Sequence, residues 1–200
     1  MYPLHLVIIS VFFVSFLSNV SPFAGASYTL FATLDLTLIG FSPFNFALIV
    51  AVSALGATVA KVVIYYGAFG LRKYIVGNKN VQLIGRNSTR GDFFLILFFA
   101  ALIPLLPLDD FIYIGAGATS ASVVAMTSVT FLAKVIKSSF EVAIEFTILR
   151  DLSAYLGFQR IDVTLLLTGI FVVIGILVYK LDWQTTLGRL RNKSRPPSGN

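Results

Sequence analysis

From Phe44 to Leu71 the chain runs for 28 residues with one charged side chain, Lys61. At about 1.5 Å per residue a helix of that length reaches about 42 Å, more than the roughly 30 Å of a bilayer's hydrocarbon core. Three further apolar runs follow the same pattern: Pro3 to Val20, Ser122 to Leu149 and Val163 to Tyr179. Only 12% of the residues are charged and 57% are hydrophobic, against about 25% charged in a soluble domain. The expected fold class is therefore an all-α integral membrane protein. A soluble Rossmann or TIM enzyme, a disordered tail and a disulfide-stapled secreted domain are excluded. With no Cys and a single His, His5, thiol nucleophiles, Cys-based zinc sites and His-based triads are missing, so neither a cofactor nor a metal is expected.

Two other apolar stretches are broken in the middle. Ser21 to Pro43 carries Pro22 and Gly25, and Phe93 to Ala118 carries Pro104 and Pro107. Proline lacks the amide donor and clashes with the preceding turn, so each stretch reads as a re-entrant hairpin and not as one straight span. The expected plan is about four transmembrane helices and two hairpins, hairpin 1 at about 21–43 and hairpin 2 at about 93–118. Residues 1–180 form one membrane domain, and residues 181–200 a basic cytoplasmic tail. Ala24-Gly25-Ala26 resembles a signal-peptide cleavage site, but no Lys or Arg precedes the apolar run, which favours a retained first span.

Charge supports this plan. The loop 70–92 holds Arg72, Lys73, Lys79, Arg86 and Arg90 against Asp92, and the tail from Lys180 holds Arg189, Arg191, Lys193 and Arg195 against Asp182. Both are cytoplasmic by the positive-inside rule. An even number of crossings must separate them, which Ser122 to Leu149 and Val163 to Tyr179 supply, so Phe93 to Ala118 should return to its own side. If Ser21 to Pro43 is also a hairpin, it opens on the external face and the N-terminus is inside. The result is an inverted repeat, a pattern that points to a transport site near the midplane. The basic tail orients the chain and attracts anionic headgroups; without interleaved aromatics it does not read as a nucleic-acid site. Asn87-Ser88-Thr89 fits a glycosylation sequon but falls on the cytoplasmic side.

The net charge of +6 divides unevenly: outside the apolar segments it is +8, inside them −2. The inner set is Lys61, Lys134 and Lys137 with Asp35, Asp109, Asp110, Glu141 and Glu145. Each costs about 2.5–3.5 kcal/mol at a helix centre even on the lenient scale, so each should face a cavity or a partner. Lys134, Lys137, Glu141 and Glu145 follow at spacings of 3, 4 and 4, one helical stripe opposite the apolar Val123, Phe131 and Val142. Lys137 and Glu141 can pair at i,i+4. Lys134 then needs a partner from elsewhere, and Asp109 or Asp110 is nearest in sequence. That adjacent pair repels itself at membrane depth, which makes one carboxyl a candidate proton carrier. Asp35 reads as the outer mouth of the first hairpin. The alternative for the whole stripe is an ion-pair ladder that only locks the packing.

The successive segments SNVSPFAGASYTLFA, SALGATVAKVVIYYGAFGLRK and FFAALIPLLPLDDFIYIGAGA resemble the DedA superfamily, the SNARE-associated or VTT-domain membrane proteins, over roughly residues 15–150. The most specific part is P-x-x-P-x-D-D followed by G-A-G. The resemblance implies two inverted re-entrant hairpins and movement of lipids or lipid-linked carriers between leaflets, with proton coupling in some members and scramblase activity in others. It implies that Pro22 and Gly25 form the first hairpin tip, and Pro104, Pro107, Asp109 and Asp110 the second. Two departures stand out. Ser27 replaces a Glu found in many members, and Ala100, Ala101, Leu105 and Leu106 stand where many carry arginines that meet phosphate, leaving only Lys61, Lys134 and Lys137 to supply that charge.

The expected function is translocation or scrambling of a lipid or amphiphile in the plasma membrane. Its path would be lined by Asp109, Asp110, Lys61, Lys134, Lys137, Glu141 and Glu145, with membrane lipids and a coupling proton as partners and self-association left open. A small proton-coupled exporter of amphipathic cations and a non-transporting membrane organiser are the alternatives. No enzyme is expected, because adjacent aspartates on one segment do not face each other as a protease dyad must.

Overall fold

The computed structural model describes residues 3–20, 28–78, 81–82, 84, 91–103 and 108–180. Among these the chain forms no strand and eight helices: α1 (Leu4–Val20), α2 (Tyr28–Ile39), α3 (Pro43–Gly70), α4 (Arg72–Ile75), α5 (Gly91–Leu102), α6 (Leu108–Ala118), α7 (Val123–Leu156) and α8 (Arg160–Lys180). Two of them, α3 and α7, are long and apolar enough to cross a membrane. The hairpin-tip residues Pro22, Gly25, Pro104 and Pro107 lie outside the described residues.

Local chemistry sets the helix ends. Ser42 Oγ accepts a hydrogen bond from the Asn45 amide at 3.0 Å and Pro43 occupies the first turn, a side-chain cap with proline where no amide is needed. Pro43 therefore opens α3 and does not close the first hairpin. At the other extreme, α7 outlasts its apolar run. It continues from Leu149 through Leu156 and stops where Gly157 takes a left-handed φ of 69°. The apolar pattern marks the reach of lipid, and helicity persists through the polar turn that follows.

α1 does not take the position a separate span would take. It lies along α3 and runs parallel to it: Val7 and Val11 pack with Ile49 and Val50, Ser15 Oγ donates to Ser53 Oγ at 3.3 Å, and Asn19 meets Lys61. The contact is backbone to backbone at Gly56, where a Cβ would lie 2.5 Å from the Phe12 carbonyl oxygen. α2 then comes back, and its Leu36 and Ile39 join the cluster of Val7, Val11, Ile49 and Val50. α1 and α2 thus run in opposite directions beside α3, and α1 starts at the same end of the bundle as α3. The expected plan starts α1 and α3 on opposite faces, whereas here both start at one end of the bundle.

α5 and α6 repeat the arrangement at the other end. Phe93 near the start of α5 and Ala116 near the end of α6 pack with Tyr65 of α3 and Met126 of α7, so this unit also begins and ends together. A Cβ on Gly117 would collide with the Tyr65 carbonyl oxygen, and the Tyr65 hydroxyl donates to the Ala121 carbonyl at 2.5 Å. Each unit's first arm packs on the long helix that follows it, α1 on α3 and α5 on α7. Each second arm packs on the long helix of the other unit, α6 on α3 and α2 on α7.

Polarity is distributed inside out. Lys61, Asp109, Asp110, Lys134, Lys137 and Glu145 are buried, while Leu17, Leu55, Tyr66, Ile96, Phe99, Leu132, Phe140 and Ile144 are exposed. In water such a surface would be an aggregation liability, whereas lipid accepts it.

Candidate functional site

Charged side chains from three helices meet inside the bundle. Lys61 projects from α3, Lys134 from α7, and Asp109 and Asp110 from the first turn of α6, where a helix N-terminus favours negative charge. Lys61 Nζ lies 2.5 Å from Asp110 Oδ1 and 3.6 Å from Asp109 Oδ2, and Lys134 Nζ lies 2.9 Å from the same Asp109 oxygen. The partner that Lys134 required is therefore Asp109. Residue exposures of 2% for Lys61, 3% for Asp109 and 3% for Lys134 put the group out of reach of both lipid and bulk water.

Asp109 Oδ2 is shared between two ammonium groups, at 2.9 Å from Lys134 and 3.6 Å from Lys61. Its stabilisation is Coulombic, which only a low-dielectric interior makes strong enough to offset desolvation. Lys61 has one further contact, donating to the main-chain carbonyl of Asn19 at 3.3 Å. Asn19 belongs to the last turn of α1. The chain just before the first interruption and the chain just after the second therefore meet on a single ammonium group.

A second layer continues along α7. Lys137 Nζ lies 3.8 Å from Glu141 Oε1, the expected i,i+4 pair. Glu145 takes no lysine. Its two oxygens accept hydrogen bonds from Thr29 Oγ1 at 2.7 Å and Thr33 Oγ1 at 2.9 Å, both on α2. Tyr28 of α2 shares a hydrogen bond of 3.1 Å with Ser138, and Tyr113 of α6 donates to Thr130 Oγ1 at 3.0 Å. Thr130, Lys134, Ser138 and Glu145 thus form one polar seam on α7, closed by α6 at one end and by α2 at the other. Val142, expected on the apolar face, is fully buried beside this seam in the core formed with α1 and α3. Asp35 lies apart, half-buried toward the end of α2 and hydrogen-bonded to Ser10.

Sequence patterning misses Asn19, Tyr28, Thr29, Thr33, Tyr113, Thr130 and Ser138. Thr130 and Ser138 stand four residues on either side of Lys134, and Thr29 and Thr33 are themselves i,i+4, so that periodicity was available as a signal. Asn19 acts through its main chain, which leaves no mark on composition. Among the described residues no three His, Cys, Asp or Glu side chains converge as a metal site. The chain matches no protein-family model, no curated protein and no solved structure.

Proposed function

We propose that the chain is a transporter-like membrane protein that moves a lipid or other amphiphile between leaflets, with the Lys61, Asp109, Asp110 and Lys134 cluster at the centre of its path. In this reading α1–α2 and α5–α6 are re-entrant hairpins entering from opposite faces, and α3, α7 and α8 cross completely. Loop 70–92 and the tail are cytoplasmic, the plasma membrane is the setting, and Arg72 and Lys73, exposed just past α3, mark the inner face. The DedA-like segments favour the same function. Lys137, Glu141 and Glu145 line the continuation of the path, and Asp109 or Asp110 carries the coupling proton where coupling exists.

The observation that supports this reading is the meeting of the last turn of α1 and the first turn of α6 on Lys61, through the Asn19 carbonyl on one side and Asp110 on the other. Broken helices whose ends face a charged group at the core are the arrangement by which transporters bind cargo at mid-depth. A polar groove there would shelter a headgroup while the acyl chains stay in the bilayer. The test is leaflet exchange of a labelled lipid in liposomes holding the purified protein. The wild-type chain should accelerate it, and Asp109→Asn with Asp110→Asn should abolish the acceleration. Unchanged exchange in the double variant would remove these residues from the mechanism.

One feature favours a second reading. Lys61 and Lys134 are both paired within the chain, as they would be in a non-transporting organiser whose charges serve packing. In that case Glu141→Gln lowers thermal stability and no flux is found for the wild type.

A further inference from the structure

The Lys61 ammonium occupies a cage of oxygens drawn from two helix ends. Asp110 Oδ1 at 2.5 Å, the Asn19 carbonyl at 3.3 Å and Asp109 Oδ2 at 3.6 Å converge on Nζ. The carbonyls in the last turn of a helix lack intrahelical donors and carry its negative end, so α1 aims partial negative charge at this point. Asp109 and Asp110 are held in place from the other side by the start of α6. Asp109 Oδ2 is buried between Lys134 Nζ at 2.9 Å and Lys61 Nζ at 3.6 Å, so it adds negative charge to the cage. Carbonyls at the end of an interrupted helix, joined by carboxylates, form the donor set with which membrane proteins hold alkali cations.

We propose that Lys61 is a tethered counter-cation filling a latent monovalent-cation site made by the Asn19 carbonyl, Asp109 and Asp110, and that shortening its side chain opens that site to Na+. The ligand class follows from the donors. All are hard oxygens, which exclude a soft transition metal. Lys134 continues to balance Asp109, so the charge to be replaced is a single positive one. The four-carbon stem of Lys61 also leaves a void on truncation that accommodates an ion with residual water. The inference deepens the transport reading and rests on it for one consequence only: a chain that carries its own cation at the centre moves its cargo without Na+.

The test compares wild type with Lys61→Ala in detergent at pH 8, following thermal unfolding as NaCl replaces choline chloride at constant ionic strength. In Lys61→Ala, Na+ should raise Tm saturably by about 3–10 °C relative to choline, and the wild type should show no such difference. Adding Asp110→Asn to Lys61→Ala should remove the response. If Lys61→Ala accumulates poorly, the yield of monodisperse protein in Na+ against choline reads the same effect, with Na+ expected to rescue it. Equal behaviour of the variant in Na+ and choline overturns the proposal, as does a wild type that responds as strongly as the variant. Because stability is the readout, it is independent of leaflet exchange: a Na+-responsive variant of a protein that moves no lipid would sink the transport reading and leave the cation site standing.

Discussion

Lys134 shows how much of the site one buried charge controls. Its ammonium meets Asp109 at 2.9 Å at a side-chain exposure of 4%, so removing it leaves a carboxylate that Lys61 alone must balance. Breaking one partner of a buried pair typically costs about 3–5 kcal/mol, whereas replacing both by apolar groups of similar volume is close to neutral. Lys134→Met should therefore destabilise the protein by about 3–5 kcal/mol, and adding Asp109→Leu should recover most of that loss. Unfolding in mixed micelles titrated with dodecyl sulfate measures both; additive losses in the double variant would mean that the pair is not coupled. This pairing was legible in the sequence because few opposite charges exist in the apolar segments and Asp109-Asp110 lies nearest. The Asn19 contact was not legible, since a main-chain carbonyl becomes a ligand only when its helix ends in the right place. Thr29 and Thr33 were hidden for a related reason: a hydroxyl within an apolar helix usually bonds back to its own turn, and only the position of α2 on α7 turns these two toward Glu145.

For the elements, existence and limits were easier to read than depth. The apolar run from Pro3 to Val20 does become a helix, Leu4–Val20, but composition cannot distinguish a short span from one arm of a hairpin. What the structure adds is the close approach of α1 to α3 at Gly56. A larger residue there would place its Cβ 2.5 Å from the Phe12 carbonyl and 3.0 Å from Ser15 Cβ, pushing the helices apart and carrying Asn19 away from Lys61. Gly56→Leu is expected to cost about 1–3 kcal/mol through overpacking, while Gly67→Leu, which meets nothing within 4 Å, should be tolerated. Thermal unfolding of the two variants in one detergent checks this; equal losses would contradict the packing of α1. For the second unit the helix-breaking residues are explicit in the sequence. Two prolines fall between α5 and α6, and neither 12-residue α5 nor 11-residue α6 is long enough to cross.

At the scale of the whole molecule, α1 and α2 precede the long α3, α5 and α6 precede the long α7, and α2 lies on α7 while α6 lies on α3. This arrangement brings Asn19 and Asp110 to one charge cluster, and with the proposed topology it predicts which segments share a side of a membrane. In the proposed topology the start of α1 and the end of α7 face one side, and the region after α3, the turn between α6 and α7, and residues 181–200 face the other. The chain has no cysteine, so single substitutions can report each position without background. The most direct measurement is labelling of His5→Cys, Gly77→Cys, Ser120→Cys, Tyr155→Cys and Ser198→Cys by a membrane-impermeant maleimide, before and after permeabilisation of cells. His5→Cys and Tyr155→Cys should label from outside, and Gly77→Cys, Ser120→Cys and Ser198→Cys only once the membrane is opened. Labelling of Gly77→Cys and Ser120→Cys from opposite sides would mean that α5 and α6 cross the membrane, and would contradict the paired hairpins on which the central site depends.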